Sequence, residues 1–124
     1  MEDHRAIRAV LADYFNGLYK GDTGLLRSVF HPDAALFAQA NGQSYHKPVE
    51  AYLDGVAQRP SPEALGETYR MRVLSLDIMH DIASALVHVP ARGLNYYNFL
   101  SLVKGGGRWR IVNKVFSDVG PERA

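Results

Sequence analysis

Tyr96-Tyr97-Asn98-Phe99-Leu100-Ser101-Leu102-Val103-Lys104, then Gly105-Gly106-Gly107, then Arg108-Trp109-Arg110-Ile111-Val112-Asn113-Lys114-Val115-Phe116 is the stretch that decides the architecture. It reads as two long strands joined by a glycine turn, with apolar residues on both faces. A strand pair apolar on both faces must be covered twice, once by the chain's own helices and once by something else. A partner subunit is the natural second cover.

Upstream of that pair, two more strands are expected near 67–79 and 82–90, with the long pair at 95–104 and 108–117. Turns fall at His80-Asp81, Arg92-Gly93 and the glycine run. The N-terminal half reads differently. Ile7, Val10, Leu11, Tyr14 and Leu18 follow the spacing of a helix with one buried face. Gly21 is a stop, and Thr23 is placed to cap a short second helix carrying Leu25, Leu26, Val29 and Phe30. Pro32 ends it. Ala34 to Ala40 reads as a strand, and Asn41-Gly42 as a tight hairpin turn returning through Gln43 to His46. Pro48 suits the first turn of a third helix with Val49, Tyr52, Leu53 and Val56 on its apolar face. Gln58 to Gly66, with Pro60 and Pro62, reads as a loop near an opening. Helices first and an antiparallel meander last make an α+β chain.

Composition narrows the function classes. The 124 residues suit one domain, and an apolar content of 47% supplies a core. A net charge of +1, from 14 basic and 13 acidic residues, gives no electrostatic case for nucleic acid or a membrane surface. The absence of cysteine excludes disulfides, thiolate nucleophiles and cysteine metal sites. No stretch approaches the roughly 18 apolar residues of a membrane span, and Met1 to Arg5 lacks the apolar core of a signal peptide. A cytoplasmic location is therefore expected.

If each turn holds its strands in simple register, His88 pairs with both Val73 and Tyr97, and a three-glycine turn sets Phe99 opposite Asn113. One face then carries Val73, Ser75, Leu86, His88, Tyr97, Phe99, Ser101, Trp109, Ile111 and Asn113. The other is nearly all apolar, with Asn98 and Lys114 as exceptions. A one-residue slip would reverse part of this assignment.

The order of three helices and a curved antiparallel sheet resembles the nuclear transport factor 2-like superfamily. Tyr14 to Asp22 is similar to the end of its first helix, and Phe30-His31-Pro32-Asp33-Ala34 to its entry into the first strand. Arg72-Val73-Leu74-Ser75-Leu76-Asp77-Ile78 and the run from Phe99 to Phe116 resemble one branch, the putative lumazine-binding family. The resemblance spans Ile7 to Phe116. It implies a cone-shaped half-barrel with a pocket between helices and concave sheet, and a homodimer through the outer sheet face. It also implies a small-molecule ligand, heteroaromatic if the family name is a guide. Related branches include ketosteroid isomerases, dehydratases and polyketide cyclases beside non-enzymatic binders, so the fold does not choose among them.

Candidate chemistry centres on His88 as acid–base and Tyr97 as polariser of a carbonyl, in a cofactor-independent isomerase, dehydratase or cyclase. That scheme needs both inside the cone; an outer-face His88 removes it. The alternative is a packed His88 and a core or interface Tyr97. Asp77 is the lone acid in the central sheet and is expected at the surface. Tyr14 and Tyr52 could line a ligand cavity or belong to the core. His31 is either a polar group at the pocket mouth or a residue that orders the bend. Trp109 would pack or stack on a ligand, and Asn113 needs partners that a ligand or the backbone could supply. Lys114 should reach solvent or a subunit edge. The histidines lack ligand spacing, so no metal or cofactor is expected. The leading expectation is a small-molecule binder, with the acid–base enzyme and a cavity-free dimerisation scaffold as alternatives.

Overall fold

The computed structural model describes residues 2–121. Helix α1 (Glu2–Lys20) is followed by α2 (Thr23–Val29), strands β1 (Phe30–Ala40) and β2 (Gln43–Pro48), and helix α3 (Val49–Gln58). Strands β3 (Arg72–Met79), β4 (Ile82–Ala91), β5 (Leu94–Gly105) and β6 (Arg108–Asp118) complete the chain. The six strands form one open sheet in the order β2-β1-β6-β5-β4-β3, with β1 parallel to β6 and every other pair antiparallel. The expected α+β cone is present.

The local signals explain most boundaries. Gly21 takes a left-handed φ of 67° and ends α1. Asp22, not Thr23, caps α2, its carboxylate accepting from the Leu25 amide at 3.0 Å. The Asn41-Gly42, His80-Asp81 and Arg92-Gly93 turns all fall where expected, each with a positive-φ first residue. Three expectations need correcting. Residues 67–71 are irregular rather than strand, and β3 starts at Arg72. His88 pairs with Arg72 instead of Val73, and the β3–β4 register shifts between Val73 and Ser75. The last turn uses only Gly106 and Gly107, since Gly105 pairs with Arg108.

A fourth correction matters most. The β5–β6 register shifts by one residue between Ser101 and Leu102, leaving Val112 as a bulge. Before it, Trp109 and Ile111 share the helix-covered face with Leu102 and Leu100. After it, Asn113 stands opposite Ser101 on the outer face, while Lys114 and Phe116 turn inward beside Leu100 and Asn98. Trp109 and Ile111 thus lie on the face opposite to the one expected. The inner face also takes Ala83, Ala85, Val87 and Val89 from β4.

The helices close the inner face. Ile7, Leu11 and Tyr14 of α1, Leu26 of α2 and Leu53 of α3 are all buried in one apolar cluster. Each such side chain contributes about 1.5–3 kcal/mol. At one end of the cone, Asp3 accepts from Lys104 Nζ at 2.9 Å and from Trp109 Nε1 at 3.1 Å. These bonds hold its carboxyl below the usual range, and they fix the first turn of α1 to the β5–β6 hairpin.

Gly17 sets how closely α1 and α2 approach. A Cβ there would lie 2.7 Å from Leu26 Cγ, in a side chain with no exposure. Gly17→Ala should therefore lower stability by about 1–2 kcal/mol, overpacking exceeding the gain in helix propensity. Gly55→Ala in α3 meets nothing within 4 Å and should raise stability by about 0.4–1 kcal/mol. Urea unfolding of the two variants side by side checks both signs.

Candidate functional site

The bulge and the helices leave a cavity of about 240 Å³ on the inner face of the sheet. Its wall comes from six elements. Strands β4 and β5 present Val89, Ala91, Tyr96 and Asn98; β6 presents Lys114 and Phe116; β2 presents Tyr45 and Lys47; α1 and α3 present Leu18 and Tyr52. Arg59, Pro62 and Arg92 ring the entrance. The loop that carries Pro62 is fastened from below. Tyr19 Oη donates to the Glu67 carbonyl at 2.6 Å, the Arg92 amide to Glu67 Oε1 at 2.7 Å, and Arg92 Nε to the Pro60 carbonyl at 3.2 Å.

Lys114 is the unusual group. Only 6% of it is exposed. Its Nζ donates to Tyr52 Oη at 3.2 Å and lies 4.6 Å, 5.2 Å and 5.5 Å from the ring centres of Tyr52, Phe116 and Tyr14. Ring faces carry negative potential and partly replace the water a buried ammonium has lost. Lys114 therefore does not reach solvent or a subunit edge as the sequence reading expects. Beside it Asn98 is fully buried and donates to Tyr14 Oη at 2.7 Å. Its Oδ1 has no hydrogen-bond partner, an unmet acceptor that is costly in a closed site. Lys47, Arg59 and Arg92 add cations at the rim, and among the described residues no carboxylate lines the cavity.

The two tyrosines beside Lys114 are hard to ionise. Burial pushes Tyr14 and Tyr52 each up to about 12, opposed at Tyr14 by the nearby lysine. Burial also raises Tyr45 and Tyr96. At neutral pH all four are hydroxyl donors.

Of the residues singled out from sequence, Tyr52 lines the cavity and Tyr14 supports it from behind through Asn98. His31 does not line it; its Nδ1 accepts from the Asp33 amide at 2.9 Å and orders the bend. Trp109 packs on the inner face at the other end, against Asp3. Asn113 is on the outer face. His88 and Tyr97 do face each other, with rings stacked 4.4 Å apart. They stand on the opposite side of the sheet from Val87, Val89 and the cavity, because strand residues alternate. His88 lies 2.6 Å from Asn95 Oδ1 and packs in the sheet. The acid–base scheme, which needs both rings inside the cone, is thereby removed. Asp77 is exposed as expected.

The phenol shifts have a direct consequence. Both groups are harder to ionise folded than unfolded, where they titrate near 10.0. As pH rises the unfolded chain loses these protons first, so stability present below pH 10 falls as pH approaches about 12. The loss should be roughly 2–3 kcal/mol per tyrosine. Urea midpoints measured from pH 8 upward should show it, and Tyr52→Phe should flatten the fall.

Comparison with known proteins agrees with this architecture. The family described as "Putative lumazine-binding" matches residues 2–117. An NTF2-like protein of unknown function from Shewanella baltica superposes with a TM-score of 0.85 at 26% identity, covering 97% of this chain and 96% of that one. One from Silicibacter pomeroyi gives 0.84 at 24% identity, over 94% and 96%. Aldolase FrzH of a Cladobotryum species is 25% identical over 114 residues, 92% of this chain and 90% of that protein. With its whole helix-and-sheet frame matched, the chain belongs to the lumazine-binding family of NTF2-like proteins.

Proposed function

We propose that the protein binds a small, planar, carbonyl-bearing molecule of the heteroaromatic lumazine kind in the cone cavity. The carrying observation is the polarity of the wall: Lys114 and the tyrosine hydroxyls offer donors, the rim is cationic, and Asn98 Oδ1 is an unmet acceptor. A fused ring with carbonyl oxygens beside a ring N–H answers both demands. The oxygens accept from Lys114 and the rim, and the N–H donates to Asn98. Tyr52, Tyr96 and Phe116 supply aromatic contact for the ring body. The family description supports the heteroaromatic class, and similarity to an aldolase supports a carbonyl-bearing ligand.

The same reading includes a homodimer through the outer sheet face. Phe37, Val115 and Phe99 stand opposite one another on three adjacent strands, and they are 42%, 45% and 58% exposed. An apolar row of this kind is suited to a second copy.

Two measurements test these proposals. Titration calorimetry with lumazine should give saturable binding at one site per chain. Asn98→Leu should weaken it about ten-fold, as expected for one hydrogen bond, Lys114→Gln should weaken it further, and His88→Ala should leave it unchanged. Absence of saturation by lumazine at millimolar concentration sinks the ligand class. Sedimentation should give a dimer that Phe99→Glu converts to monomer; a monomeric parent protein refutes the assembly.

A further inference from the structure

We propose that Lys114 is an imine-forming amine, whose Nζ condenses with the carbonyl carbon of a ketone or aldehyde held in the cavity. This rests on the reading that the cavity takes a carbonyl-bearing ligand, and it assigns that site a covalent step.

A buried lysine with a structural task is ordinarily tied to a carboxylate. Lys114 is not. Its hydrogen-bond partner is the Tyr52 hydroxyl, its other close neighbours are rings, and it forms part of a cavity wall. Among the described residues no carboxylate lines that wall. A lysine in an apolar, aromatic pocket is the usual setting for Schiff-base chemistry. It is also the only lysine in this setting: Lys20 ends α1, Lys47 lies at the rim over the Tyr45 ring, and Lys104 is bound to Asp3.

The step balances with groups already present. It begins when the ammonium gives one proton to solvent water, leaving the uncharged amine. The nitrogen lone pair forms a C–N bond as the carbonyl electrons move to oxygen, and one proton passes from nitrogen to that oxygen to give the carbinolamine. Tyr52 Oη then gives its proton to the carbinolamine hydroxyl, the C–O bond breaks and water leaves. The phenolate recovers its proton from nitrogen, leaving a neutral imine. Burial keeps the Tyr52 proton in place near neutral pH until this transfer. The rim cations Lys47 and Arg59 suit a ligand with an anionic group remote from the carbonyl. Protonated to the iminium, the imine linkage accepts electrons from the adjacent carbon, which C–C bond formation or cleavage there requires.

The test uses 1-phenylbutane-1,3-dione, an aromatic diketone that condenses with an amine to a stable enaminone with loss of one water. Intact-mass analysis of the full chain should show one adduct per chain, and peptide mapping should place it on Lys114. Labelling there should be at least about ten-fold faster than at Lys20, Lys47 or Lys104. Lys114→Arg and Lys114→Met should abolish it, the arginine variant retaining charge, with circular dichroism reporting the fold of each. Tyr52→Phe should slow it by about ten-fold or more, the least expected on removing a positioned proton donor. If lumazine binds but Lys114 is unlabelled, or is labelled no faster than the other lysines, the imine inference is wrong and the binding reading stands. If neither probe engages the cavity, both fail. Selective labelling without lumazine binding supports the imine and refutes the heterocycle.

Discussion

The cavity depends on one break in strand periodicity. Strand β6 points odd-numbered residues inward as far as Ile111, spends Val112 on a bulge, and points even-numbered residues inward from Lys114 onward. Without that bulge Asn113 and Val115 would face the helices, and Lys114 would face out. The inward aim of Lys114 and Phe116 follows from a single extra residue. Bulges commonly serve this purpose next to functional sites, re-aiming a side chain while the rest of the ladder stays paired.

Around that amine the chain arranges a one-sided electrostatic environment. Tyr14 comes from α1, Tyr52 from α3 and Phe116 from β6, and all three rings approach the same nitrogen. Each element is independently required for the core: Tyr14 is fully buried, and Tyr52 sits beside Leu53 on the apolar face of α3. The site is therefore not an addition to the core but the point where core packing runs short of apolar atoms. Asn98 shows the same logic. One half of its amide donates to Tyr14, and its Oδ1 is buried without a hydrogen-bond partner.

Much of this frame is legible in the residues. The helices declare themselves through the spacing of Ile7, Leu11, Tyr14 and Leu18, and the hairpins through Asn41-Gly42 and Arg92-Gly93, where backbone sterics leave few options. His88 and Tyr97 are correctly paired by counting from a two-residue turn. The bulge escapes the same method, because Arg110-Ile111-Val112-Asn113 carries no glycine or proline to mark it. Thr68 to Met71 imitates a strand, yet only Met71 of that run is buried and the rest follows the loop. Asn98 and Lys114 do stand out as polar residues on an apolar face. Their meaning is hidden because the groups that accommodate them come from helices far away in sequence, which no strand pattern can reveal.

The sheet order has a consequence for how the chain is made. Strand β1 lies between β2 and β6, and β6 is the last strand to be synthesised. The first turn of α1 is likewise held by Lys104 and Trp109, which are 101 and 106 positions further along. During translation the N-terminal helices and the β1–β2 hairpin therefore emerge before their long-range partners do. Their apolar faces have to wait for the C-terminal hairpin before the cone can close. Such non-local closure slows folding and exposes an unpaired strand edge in the interval. Mutations in the last two strands should therefore register first in the yield of folded protein, before any ligand is met.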